Sequence, residues 1–140
     1  MSHCAFCSIV AEDSSAHRLY EDDHSFAFLD IEPATRGHTL VIPKSHYETL
    51  TDIPTSLAGD VFQTVHRVAS ALESAYQLEG YNIVQSNGVS AGQDVFHAHI
   101  HVIPRYEEDT VALGWNGEES DETRQQEIAT KIRDELSPQP

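Results

Sequence analysis

Lysine is scarce in this chain: Lys44 and Lys131 are the only two among 140 residues. Eight Lys+Arg stand against 23 Asp+Glu, giving a formal net charge of −15, and protonating all nine histidines would still leave the chain negative. A broad electrostatic grip on nucleic acid is therefore not expected. No apolar run approaches the roughly 20 residues that cross a bilayer, so a membrane protein is not expected either. The opening Met1-Ser2-His3-Cys4-Ala5-Phe6-Cys7 lacks the basic flank and apolar stretch of a signal peptide, and a cytoplasmic protein is the expectation. Two cysteines, Cys4 and Cys7, are too few for a disulfide scaffold. Repeats and low-complexity linkers are missing as well, which makes residues 1–140 one domain.

What is present begins with 39% hydrophobic residues, enough to close a core. The acid excess reads first as solubility. With lysine so scarce it also suits a halophilic source, because repulsion between surface charges is screened within about 3 Å at 1 M salt.

Residues 8–23 show only a short apolar step, Ile9 and Val10, before turning polar, with a short strand possible at His17–Glu21. Ser25–Asp30 is an apolar strand ended by Glu32-Pro33, and Gly37–Pro43 is a β-branched strand closed by proline. Leu57, Val61, Val65, Val68 and Leu72 recur at spacings of three and four, predicting a helix over 55–79, capped by Thr55 or Ser56 and ended by Gly80. Tyr81–Ser86 and Val95–Ile103 read as strands, and Glu122–Leu136 as a final helix before a fraying tail, Ser137–Pro140. Few crossover helices favour an α+β domain with a five-stranded antiparallel sheet, one long helix and a C-terminal helix. Such a sheet leaves surface uncovered, so a homodimer is expected.

The informative segment is His97-Ala98-His99-Ile100-His101-Val102-Ile103. Alternation places His97, His99 and His101 on one strand face, about 6.6 Å apart in steps, with Ala98, Ile100 and Val102 on the core face. The plain reading is a half-exposed polar face. Two chemical readings compete with it. Two or three imidazoles could bind one metal. Alternatively, one imidazole could attack phosphorus while a neighbour binds phosphate or protonates the leaving group. The preceding loop, Asn87-Gly88-Val89-Ser90-Ala91-Gly92-Gln93, favours phosphate. Its glycines let backbone N–H groups approach an oxyanion, and Asn87 and Gln93 offer neutral donors.

These residues resemble the histidine triad (HIT) family, whose signature alternates three histidines with apolar residues. The resemblance extends over Phe26–Ile31, Gly37–Lys44, the long helix and the Asn87–Gln93 loop, covering about residues 4–106; the loop and helix at about 107–136 match loosely. It implies a purine nucleotide substrate and hydrolysis or transfer of a nucleoside monophosphate group through a nucleotidyl-histidine intermediate. By position His99 is the nucleophile, His101 the phosphate and leaving-group contact, and His38 the histidine that hydrogen-bonds within the cluster and orients the nucleophile. Asp30 matches the ribose-binding acid. Ile31 and Phe28, with Phe6 and Ile9 beside them, match the clamp on the base. Asn87, Gly92 and Gln93 match the phosphate cradle. Asp94 departs from the pattern: many members carry Ser or Thr there, against the bridging atom of the substrate.

Cys4-x-x-Cys7 is half a zinc site in need of two more ligands. The resemblance implies His46 and His97, which would close a structural Cys2His2 zinc site and pin the N-terminus to the histidine strand. His3, His17, His24 and His66 read as surface residues. An enzyme is thus the leading expectation, ahead of a nucleotide sensor with little catalysis and a zinc hydrolase using His97, His99 and His101 as joint ligands.

Overall fold

The structure, a computed structural model, describes residues 4–136; the expectations for His3 and for the tail Ser137–Pro140 lie outside the described residues. The elements run α1 (Ala5–Val10), β1 (Arg18–Glu21), β2 (Ser25–Leu29), β3 (Thr39–Pro43), α2 (Thr55–Ala75), β4 (Gly80–Gln85), β5 (Ile100–Arg105) and α3 (Glu122–Leu136), with short 3-10 turns at Leu50–Asp52 and Val89–Ala91. The five strands form one antiparallel sheet in the order β1-β2-β3-β5-β4, so the α+β architecture is as expected.

The pleat divides the sheet's side chains between two cores. Ala27, Val41, Ile100 and Val102 face α2, which meets them with Val61, Val65, Val68, Ala69 and Leu72. Phe26, Phe28, Leu40 and Ile42 face the other way and are covered by Phe6 of α1. His101 pairs with Leu40 across β3 and β5, which puts it on the α1 side. Burying Val41, Ile100 and Val102, each at most 1% exposed, contributes about 1.5–3 kcal/mol apiece.

Several expectations are corrected. Residues 5–10 form a helix that is too short to show periodicity; Cys4 caps it, its Sγ accepting the Cys7 N–H at 3.3 Å. Helix α2 stops at Ala75 because Tyr76 turns extended, and Gly80 opens β4 instead of ending the helix. Its N-cap is Pro54, with no side-chain cap from Thr55 or Ser56. The last strand begins at Ile100, not Val95, because pairing with both neighbours ends there: Val41 and Gln85 are the final partners. Upstream of that point the Ala98 N–H donates to the Tyr47 carbonyl at 2.6 Å. The strand also runs on through Pro104, which pairs only with β4, beyond the end of β3 pairing at Thr39–Val102, where its missing N–H costs little.

Helix α3 has no buried residue, and Trp115 in the segment before it is 91% exposed. No helix among the described residues is long and apolar enough to cross a membrane.

Candidate active site

Buried imidazoles meet at the start of β5. His97 and His99 are buried just before the strand, His101 lies within it, and His38 is buried just before β3. The rings of His99 and His101 lie 5.1 Å apart, as do those of His46 and His97. Phe6 sets its edge against His99 and His97, at 5.1 and 5.9 Å.

Backbone groups fix the proton on each ring, since an amide N–H can only donate and a carbonyl can only accept. The Ala34 N–H donates to Nδ1 of His38 at 2.9 Å, so neutral His38 carries its proton on Nε2. That Nε2–H donates to Nδ1 of His101 at 3.0 Å, which leaves the His101 proton on its own Nε2. Nδ1–H of His99 donates to the His97 carbonyl at 2.8 Å, leaving Nε2 with the free lone pair. Nε2–H of His97 donates to the Pro43 carbonyl at 2.8 Å and leaves Nδ1 facing the two cysteines. His38 therefore bonds to His101 and not to His99; the His97 carbonyl is what orients His99.

Burial pushes the pKa of His101 down to about 4, helped by neighbouring His99 and His38 and opposed by Asp30 and Asp94. Burial also lowers His38, against the pull of Asp30, and His97, against its bond to Pro43. The imidazoles of His38, His97 and His101 are thus held neutral at neutral pH.

Four donors cluster beside His97. Its Nδ1 lies 3.4 Å from Cys4 Sγ and 3.6 Å from Cys7 Sγ, and His46 Nδ1 lies 3.4 Å from Cys7 Sγ. All four ligand atoms fall within 4.8 Å of one another. Tetrahedral zinc with these donors places neighbouring ligand atoms about 3.4–3.8 Å apart, so the set fits. Burial and the adjacent Cys4 raise the Cys7 thiol, a strain that a bound dication would relieve. The second shell is present too: Pro43 holds the far nitrogen of His97, and the Cys7 N–H meets Cys4 Sγ. Asp30, His38 and His101 form a second group within metal-binding reach. There a hydrogen-bonded proton already occupies the space between the two imidazoles.

The loop before the histidines is held from inside. Gln93 is buried, with its carbonyl accepting from the Gly88 N–H at 2.8 Å and its amide donating to the carbonyls of Glu48 and Val95 at 2.6 and 3.0 Å. Both of its N–H bonds are spent on these backbone carbonyls. Asn87 is exposed and exchanges hydrogen bonds with Gln85 while accepting the Leu50 N–H. Gly88 and Gly92 have φ of 95° and 96°, a backbone that other residues rarely adopt, with open space around both.

A family model described as the HIT domain matches residues 11–108. The chain belongs to the HIT family. It is 40% identical over 119 residues to the adenosine 5'-monophosphoramidase of Saccharomyces cerevisiae, covering 84% of this chain and 73% of that one. A crystal structure of a HIT family member from Bacillus subtilis superposes with a TM-score of 0.90 at 39% identity, covering 94% and 96% of the two chains. A zinc-bound histidine triad protein from Mycobacterium smegmatis is similar at a TM-score of 0.75 and 38% identity, covering 96% and 98%.

In this HIT chain the remaining positions separate into two groups. Asp30 and Ile31 lie at the open end of β2, with Ile31 92% exposed. Asp30 Oδ2 is 3.5 Å from His38 Nε2, while Oδ1 accepts the Glu32 N–H at 2.8 Å and so also shapes the turn. Phe28 and Phe6 are buried against each other at 5.4 Å, beneath the site. Ile9 instead lines a cleft of about 340 Å³ with Phe26 and residues of the α1–β1 connection, within the size range of small-molecule sites. His17, His24 and His66 are exposed. Three groups that the sequence did not single out complete the site: the Ala34 amide, the Pro43 carbonyl and the Tyr47 carbonyl. Backbone atoms carry no side-chain signature by which they could have been found.

Proposed function

We propose that this chain hydrolyses or transfers a nucleoside monophosphate group, cleaving a purine nucleotide phosphoramidate or dinucleoside polyphosphate at the α-phosphorus through a nucleotidyl-histidine intermediate. The supporting relatives include an adenosine 5'-monophosphoramidase. The observation that carries the mechanism is the bond from Nδ1–H of His99 to the His97 carbonyl. It leaves Nε2 unprotonated and, among the described residues, unpaired with any donor, as a nucleophile requires.

In this reading Nε2 of His99 attacks phosphorus and the bond to the leaving group breaks. The Nε2–H of His101 donates to the phosphate or leaving group, and the anion's arrival raises the low pKa of His101. His38 holds His101 in the donating tautomer. Water then hydrolyses the phosphorus–nitrogen bond on His99. Asp30 takes the ribose hydroxyls, and Ile31, with Phe28 behind it, takes the base. The backbone near Gly92, together with Asn87, takes the phosphate, while Gln93 holds that loop in shape. Triad-bound metal is disfavoured because His97 turns away to the cysteines and His99 commits Nδ1 to a carbonyl.

Zinc on Cys4, Cys7, His46 and His97 would supply a structural cross-link, with no open position for water. We further propose a cytoplasmic homodimer. The edge strand β4 exposes Tyr81 and Ile83, each 41%, and with Phe62 of α2 at 40% they border an apolar cleft of about 330 Å³. Rapid quenching with an α-labelled adenosine phosphoramidate tests the mechanism: an acid-labile, base-stable label on His99 is expected, and turnover with no protein-bound label would overturn it.

A further inference from the structure

Asp94 brings a negative charge to the nucleophile. Its Oδ1 stands 3.9 Å from Nε2 of His99, and its side chain is 85% exposed. The backbone beneath it is fixed, because the preceding residue, Gln93, is buried and tied to Gly88, Glu48 and Val95. The other carboxylate of the site, Asp30, lies 3.5 Å from His38. Among the described residues no ion pair brings a lysine or arginine to either carboxylate. Lys44 is paired with Glu21 at 2.6 Å, Arg105 is held by Asp109 at 2.9 Å, and Arg36 is stacked between Tyr76 and Tyr106. An anion leaving from phosphorus would therefore depart past one carboxylate, with only neutral imidazoles to receive it.

We propose that Asp94 selects the leaving group by charge, so that this site cleaves nucleoside phosphoramidates of neutral or cationic amines in preference to anhydrides that release phosphate or sulfate. The proposal rests on the reading of His99 as nucleophile and narrows it to one substrate class. In the first step the lone pair of His99 Nε2 forms a bond to phosphorus. As the phosphorus–nitrogen bond of the substrate breaks, its electron pair goes to the departing nitrogen, which takes a proton from solvent by way of Nε2 of His101 and leaves as the amine; the water that later cleaves the His99 bond returns that proton. Over the whole reaction a phosphoramidate monoanion and one water give a nucleoside monophosphate dianion and an ammonium ion, so atoms and charge balance. The departing nitrogen takes its proton ahead of bond cleavage, so in the transition state it carries positive charge relative to the neutral amide nitrogen of the free substrate, and the Asp94 carboxylate attracts that charge. On a departing phosphate or sulfate oxygen the developing charge is negative and is repelled. Only this difference between transition states changes the choice of substrate, because repulsion of the α-phosphate itself is common to both. A unit charge about 5 Å from a solvent-facing carboxylate is worth roughly five- to fifteenfold. Reversing the sign of the leaving-group charge doubles the logarithm of that factor.

The test compares kcat/KM for three adenosine 5'-phosphate derivatives: the aminoalkyl phosphoramidate, the neutral alkyl phosphoramidate and the mixed anhydride with sulfate. Wild type should prefer them in that order. Asp94→Asn and Asp94→Ser should each shift the amine-to-sulfate ratio toward sulfate by about 25- to 200-fold. Raising salt to 1 M should shrink the preference in wild type and leave it nearly unchanged in Asp94→Asn. The position is exposed, so these variants are expected to fold, and circular dichroism checks it. Label on His99 with a ratio that stays within twofold in both active variants would overturn the role of Asp94 alone. A wild type that turns over none of the three would overturn the reading of the site and this proposal with it.

Discussion

One residue joins the thiol cluster to His99, the proposed nucleophile: His97 turns its Nδ1 to Cys4 at 3.4 Å, while its carbonyl accepts the Nδ1–H of His99 at 2.8 Å. Anything that loosens the cluster therefore loosens the group that fixes the tautomer of His99. Elemental analysis should find about one zinc per chain. Chelation, Cys4→Ala or Cys7→Ala should remove it, lower Tm by about 10 °C and lower kcat by roughly tenfold with a smaller change in KM. Zinc retained in the double cysteine variant would contradict the assignment.

His99→Ala should lower kcat by several orders of magnitude while nucleotide affinity is kept, since Asp30 and the loop around Gly92 are untouched. His101→Ala should cost about 10²–10⁴-fold, as for a lost proton donor. His38→Ala acts through His101 and should cost less, about tenfold, with a change in the pH profile as its signature. Turnover of His99→Ala near the wild-type rate, followed by release of the nucleoside monophosphate, would refute the nucleophile.

Acid should destabilise the fold through the same rings. His101 titrates at about 4 when folded, against an ordinary value of 6.5, so the unfolded chain binds the extra proton between these values. Stability is then complete above pH 6.5 and falls as pH drops toward 4, by on the order of 3 kcal/mol from this group at most. The lowered values of His38 and His97 act in the same direction. Denaturant midpoints measured from pH 7 to pH 4 check this, and a flat profile would contradict it.

Light scattering should give twice 15.6 kDa at micromolar concentration. Ile83→Glu on the exposed face of β4 should shift the mass toward the monomer without unfolding the sheet.

Dialysis of the −15 chain into dilute buffer should lower its Tm relative to 1 M salt, because self-repulsion is no longer screened. Equal Tm in both would remove the case for a salt-rich source.

The alternation of His97, His99 and His101 with Ala98, Ile100 and Val102 was enough to divide these residues between core and site: the three apolar ones are at most 1% exposed, and the histidines share the other face. Leu57 to Leu72 likewise announced the long helix, since helical period survives in any register. The limits of β5 could not be read this way. They are set by where Val41 and Gln85 stop pairing, and those residues lie far away in sequence. Helix α1 escaped because six residues carry less than two turns of pattern, and its cap is a thiol.

The sequence by itself determined the residue types of the site, their spacing and the acidity around them, because side-chain periodicity and charge are local properties. The tertiary structure alone decided which nitrogen of each imidazole holds a proton and which offers a lone pair. That choice belongs to the amide of Ala34 and the carbonyls of Pro43 and His97, which only the folded sheet brings within 3 Å of the rings. It also decided that Asp94, which the sequence set near the substrate only by resemblance, stands 3.9 Å from Nε2 of His99.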